Sequence, residues 1–163
     1  MDGRLSTVTV RVAQAADDAA LLRLDVGEPG TGFPSVFARE RPTFFGSAEP
    51  SSTLVAERDG AIVGYLSLTH PTALPENAHV FAIEGFTVHP DHRGTGVARA
   101  LLARAADAAR RMGGTKLSLR VLSVNARARH VYEAAGFGVE GVLVGEFVIE
   151  GRRVDDVLMA TAL

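Results

Sequence analysis

The spacing of apolar positions changes several times along the chain, and each change marks an element. Residues 7–12 alternate as a strand. Asp17 or Asp18 can cap a helix running to about Leu24, with Leu21, Leu22 and Leu24 as its apolar contacts. Residues 27–50 are rich in Gly, Pro, Ser and Phe and read as an irregular excursion with at most a short helix near residues 35–41. Thr53 to Arg58 and Ile62 to Thr69 alternate on either side of Asp59-Gly60, a strong hairpin signal. Val80 to Val88 predicts a strand, and a helix follows from about Gly96 to Met112. Its buried stripe is Leu101, Leu102, Ala105, Ala109 and Met112, and Gly113-Gly114 stops it. Lys116 to Val121 is a strand and Asn125 to Ala135 a helix closed by Gly136. Two last strands meet around Glu150-Gly151.

Strand, helix, strand in the middle implies parallel neighbours, whereas the flanking hairpins imply antiparallel ones, so the sheet is mixed and the class α/β. Gly85 interrupts the Val80 to Val88 strand, where glycine marks a bulge or a close backbone approach. With 163 residues, 47% of them hydrophobic, the chain suits one domain, spanning about residues 5–163. A net charge of -2 gives no field for nucleic acid or anionic lipid. No apolar run reaches membrane-span length and Met1 to Ser6 has no signal core, so the expectation is a cytoplasmic protein. Cysteine is absent, which removes a thiol nucleophile and any acyl-cysteine intermediate.

The chemistry gathers where the apolar strand ends. After Val88 come His89-Pro90-Asp91-His92-Arg93-Gly94-Thr95-Gly96, and then the amphipathic helix opens at Val97-Ala98. Glycines let several backbone N–H groups face one anion, the helix start adds unpaired donors and the positive end of its dipole, and Arg93 adds a full charge. The pattern reads as a pyrophosphate cradle. It lacks the terminal Gly-Lys-Ser/Thr of a Walker A loop, and Arg99 stands where a dinucleotide fingerprint needs its third glycine.

Arg93-x-x-Gly96-x-Ala98 after Phe86-Thr87-Val88 resembles motif A of the GCN5-related N-acetyltransferase (GNAT) superfamily. Asn125 to Phe137 resembles its motif B, Asn-x-x-Ala-x-x-x-Tyr-x-x-x-Gly-Phe, and residues 145–159 resemble the closing hairpin of its amino-acid and small-amine enzymes. The resemblance implies a mostly antiparallel sheet of about seven strands with a central splayed parallel pair, and helices on both faces. It implies acetyl-CoA as cosubstrate and no metal. The pyrophosphate would lie on Arg93, Gly94, Thr95, Gly96, Val97 and Ala98. Pantetheine would pair with Phe86, Thr87 and Val88, and Asn125 would bond pantetheine or a water. In this superfamily, residues corresponding to 27–50 shape the acceptor pocket.

Amide formation from a thioester needs a neutral amine, a polarised carbonyl and a leaving thiolate that gains a proton. Glu84 is the one carboxylate in the Val80 to Val88 strand. Burying it would need a reason, either as base, direct or through water, or as an arginine's partner. Tyr132 matches the motif B tyrosine that lies near the cofactor sulfur in relatives, and would serve as acid; packing on the core is the alternative. Asn125 is also a good helix N-cap. Arg129 reads as solvated, His89 and His92 as turn residues, and His70 and His79 as lesser candidates for an auxiliary base. Ribosomal-protein N-terminal acetyltransferases carry a catalytic Glu in the strand before motif B, where this chain has Arg120. Glu28, Glu40, Glu49, Glu76 and Glu84 would tolerate a cationic amine, while Arg39 and Arg41 could equally hold a carboxylate. The expected activity is acetyl transfer to a primary amine of a small metabolite such as an amino acid or polyamine. A protein N-terminal or lysine acetyltransferase and a non-catalytic acyl-CoA sensor stand as alternatives, and a homodimer is left open.

Overall fold

The computed structural model describes residues 6–26 and 41–163. Most of the irregular excursion, including the expected short helix up to residue 40, lies outside the described residues. The elements are β1 (Thr9–Val12), α1 (Asp18–Val26), β2 (Thr53–Arg58), β3 (Ala61–Thr69), β4 (Val80–Val88), α2 (Val97–Arg111), β5 (Lys116–Leu122), α3 (Ala126–Ala134), β6 (Gly138–Ile149) and β7 (Arg152–Ala162). The strands form one mixed sheet in the order β1-β2-β3-β4-β5-β7-β6. The β4/β5 ladder is parallel, and the β1/β2, β2/β3, β5/β7 and β6/β7 ladders are antiparallel.

Two compact units divide the chain. The first comprises residues 1–67 and 85–104. Its β2/β3 hairpin turns through Asp59 and Gly60, both at positive φ (52° and 75°), the backbone that matches the twist of paired strands. Between the pairs Ala56↔Gly64 and Glu57↔Ile62 the register slips, so Val63 is an extra residue on β3. Ala13, Leu21, Phe44, Val55 and Tyr65 form a core cluster, with Leu22, Leu24, Phe45 and Ile62 packed against it. Asp18 opens α1, but its carboxylate accepts from the N–H groups of Phe44 and Phe45 at 3.2 and 3.0 Å. Asp17 accepts from Gln14 N–H and pairs with Arg11, whose bonds hold the Asp17 carboxyl below the usual range.

The second unit comprises residues 68–84 and 105–163. β5 pairs with β7 from Lys116↔Ala162 to Leu122↔Asp156, and the β6/β7 hairpin turns through Glu150 and Gly151 at φ 49° and 76°. Asp156, only 2% exposed, is held by Arg120, with Nε at 2.5 Å. Arg120 is thus a structural cation in the position where a catalytic Glu had been sought. Breaking a buried pair from one side strands the other charge, and Arg120 is half exposed, so Arg120→Met should lower unfolding free energy by roughly 2 kcal/mol in urea titrations. An unchanged midpoint would contradict a structural role for Arg120.

Leu101, Leu102, Ala105 and Ala109 are buried as the period of α2 requires, and Val97 joins them at 0% exposure. Met112 does not: it is 58% exposed. The helix ends at Arg111 and the chain turns left-handed at Gly113 (φ 86°), so Met112 leaves the helical stripe before it can follow it inward.

Candidate active site

In the first unit, β4 delivers the chain to a braced turn. His89 N–H donates to Val63 O at 2.8 Å, so the β3 bulge anchors the start of the turn. A single 3-10 turn over Pro90–His92 follows, then Gly94 and Gly96 at φ 72° and 89°, and α2 begins. A side chain is disfavoured at both glycines, and a Cβ placed on either would meet nothing within 4 Å, so the turn presents bare backbone to open space. The first α2 bond is Ala100 N–H to Gly96 O at 3.0 Å, and by helix geometry the N–H groups of Val97, Ala98 and Arg99 precede that ladder. Arg93 is exposed, with Nε–H directed at Val88 O at 3.3 Å. Bare N–H groups, a helix start and an exposed guanidinium suit a pyrophosphate.

Arg58, at the end of β2, braces the same turn from below. It is 6% exposed, and its guanidinium donates to Thr95 Oγ1 at 2.8 Å and Thr95 O at 3.2 Å, with His92 Nδ1 at 3.3 Å. Thr95 Oγ1 in turn donates to His92 O at 2.6 Å. The sequence reading missed Arg58; the available signal was a cation closing an apolar strand.

Phe86, Thr87 and Val88 lie half-buried on β4. The parallel ladder joins Val80–Ile83 to Lys116–Leu119, and no further β4/β5 pair occurs among the described residues although both strands run on. Those two strands thus stop pairing midway, as the resemblance implied. Gly85 has its own reason: a Cβ there would come within 3.0 Å of the Tyr65 ring. The Tyr65 hydroxyl donates to Asp25, and the other Asp25 oxygen pairs with Arg41 Nη2 at 2.5 Å. Burial, chiefly, with Asp25 second, pushes the Tyr65 phenol far above its ordinary value. Asp25 and Tyr65 were likewise missed, and Arg41, considered for a substrate carboxylate, already holds Asp25. Arg39, Glu28 and Glu40 lie outside the described residues.

In the second unit, Glu84 is exposed and has no ion pair among the described residues. The premise that its charge is buried therefore fails, and so does an arginine partner among those residues: Glu84 is exposed on a strand where Phe81 and Ile83 are buried. Asn125 caps α3, Oδ1 accepting from Ala128 N–H at 3.1 Å. Tyr132 on α3 is buried beside Phe137, ring centroids 5.9 Å apart, and burial pushes its phenol up to about 12. Arg129 pairs with Glu133 at 3.6 Å. His70 lies in a cleft of about 370 Å³ with Thr69, Leu74 and Pro75, and its Nδ1 meets Val80 O at 3.0 Å, which places the proton on Nδ1. His79 and His130 are exposed.

Residues 20–137 match the acetyltransferase (GNAT) family, and the chain belongs to it. It is an acyltransferase of the N-acetyltransferase class. Streptothricin acetyltransferase of Streptomyces lavendulae is 33% identical over 160 residues, 94% of this chain and 82% of that enzyme. The L-amino acid N-acyltransferase MnaT of Escherichia coli (strain K12) is 31% identical over 110 residues, 68% of this chain and 63% of that enzyme. Among solved structures, an N-acetyltransferase from Staphylococcus aureus Mu50 superposes with a TM-score of 0.80 at 19% identity, covering 96% of this chain and 99% of that one. Salmonella typhimurium yncA, solved with its cofactor acetyl-CoA, gives 0.76 at 24% identity, covering 97% and 95%. At those identities the structures establish a shared fold.

Proposed function

We propose that the protein transfers the acetyl group of acetyl-CoA directly to a primary amine of a small metabolite, an amino acid or a polyamine-like molecule. The observation that carries the reading is the Arg93–Ala98 turn, whose two left-handed glycines open bare backbone onto the start of α2. Its N–H groups and Arg93 hold the pyrophosphate, and the half of β4 beyond Ile83, with Phe86, Thr87 and Val88, lies past the last pair with β5 and lines up with the amides of pantetheine. Acetyl-CoA supplies the acyl thioester. Relatives named for spermidine and L-amino acids support a small amine as acceptor.

Tyr132 donates a hydrogen bond from its phenolic O–H to the sulfur as the C–S bond breaks. A phenol near 12 stays protonated throughout the working range. Against a thiol near pKa 8.5, full transfer of its proton is uphill, so the contribution is a hydrogen bond to developing charge. Asn125 keeps α3 in place through its cap and turns its amide N–H₂ to pantetheine or a water. Glu84 takes the ammonium proton of the acceptor, directly or through water, and its exposure gives that proton a path to solvent.

The base is tested by Glu84→Gln, which keeps the shape and removes the proton acceptor. We expect kcat/KM to fall near neutral pH and to recover partly as pH rises and free amine becomes abundant. A loss constant from about pH 6 to 10 would assign Glu84 to substrate positioning instead.

A further inference from the structure

Arg58 presents a buried charge that the protein leaves unbalanced. Its contacts are a hydroxyl, a carbonyl and an imidazole nitrogen, and no carboxylate lies within ion-pair distance among the described residues. Its Nε is buried without a hydrogen-bond partner there. An unpaired buried cation costs stability, and a hydrophobic residue of similar volume would serve β2 better if packing were the only demand. The three groups it touches all belong to the His92–Thr95 segment of the turn, and Thr95 is gripped at both its hydroxyl and its carbonyl. A guanidinium fork drawing those two oxygens to itself turns them away from the open side, where an anion would be repelled by them, and leaves the N–H groups there.

We propose that Arg58 is a positioning residue for the pyrophosphate of the acyl donor. It holds the Thr95 oxygens back from the cradle, and its uncompensated charge is balanced when the diphosphate arrives. The inference rests on the reading that the Arg93–Ala98 turn holds pyrophosphate.

The test uses Arg58→Met, with Arg58→Lys as the milder variant that keeps the charge and loses the fork. Calorimetry with coenzyme A should show Arg58→Met weakened about tenfold or more and Arg58→Lys in between. The thermal midpoint of ligand-free Arg58→Met should be equal to or higher than that of the parent. In turnover, the ratio of kcat/KM for acetyl-CoA to that for S-acetylpantetheine, which has no pyrophosphate, should fall by a similar factor. A structural brace alone would lower both donors together and leave that ratio unchanged, which would overturn the proposal, as would unaltered coenzyme A affinity in both variants. Should Arg58→Met not fold, the ratio measured on Arg58→Lys decides. If the parent protein itself gave no heat with coenzyme A, the pyrophosphate reading would fail before Arg58 was reached.

Discussion

Gly96→Asp should weaken acetyl-CoA binding at least about 10²-fold while the protein remains folded. In the free protein a Cβ at Gly96 meets nothing within 4 Å, so the substitution strains the backbone at φ 89° without a clash. That strain is worth about 1–2 kcal/mol, within what a domain of this size tolerates. The bound state suffers far more. Two like charges about 4 Å apart near a protein surface repel by roughly 4 kcal/mol, and each tenfold in affinity is about 1.4 kcal/mol. Calorimetric titration alongside a thermal melt reads both effects. Gly96→Ala, which brings the strain without the charge, should lie between parent and Gly96→Asp, and equal affinity in all three proteins would remove the turn from the binding site.

Tyr132→Phe should lower kcat about 10²-fold with little change in acetyl-CoA affinity. The ring remains to pack on Phe137, so the change is confined to one hydroxyl that strengthens its hydrogen bond only as the sulfur gains charge. Because burial raises the phenol to about 12, its neutral form persists across the measurable range, and the parent kcat should show no alkaline loss from this residue below about pH 11. Single-turnover kinetics isolate the chemical step. Near-parental single-turnover rates would make Tyr132 a packing residue of α3.

Local signals carried far in this chain. The hairpin at Asp59-Gly60, the strand Val80–Val88, the helix that Gly113 stops and the α3 cap at Asn125 are each written within a few residues, because turn conformations and caps are short-range chemistry. The end of the parallel ladder at Ile83 was anticipated through the family resemblance. What escaped was long-range. Glu84 lies on an apolar strand, yet it is exposed while Phe81 and Ile83 beside it are buried. Gly85 was read as a bulge or a close backbone approach, whereas the ring of Tyr65, twenty residues earlier in sequence, occupies the space a side chain would need. Arg58 and the Tyr65–Asp25 pair owe their positions to tertiary neighbours that no window of sequence contains. The Val63 bulge, which anchors the phosphate turn, lies in a stretch whose alternation gave no sign of an extra residue.

The central claim meets its most direct test in a coenzyme A release assay with acetyl-CoA and a panel of amino acids, polyamines and amine-bearing peptides. The account predicts release that depends on a small primary amine and matches, mole for mole, the N-acetylated product identified by mass spectrometry. Acetyl-CoA binding with no amine-dependent release, or release driven by peptides alone, would contradict it.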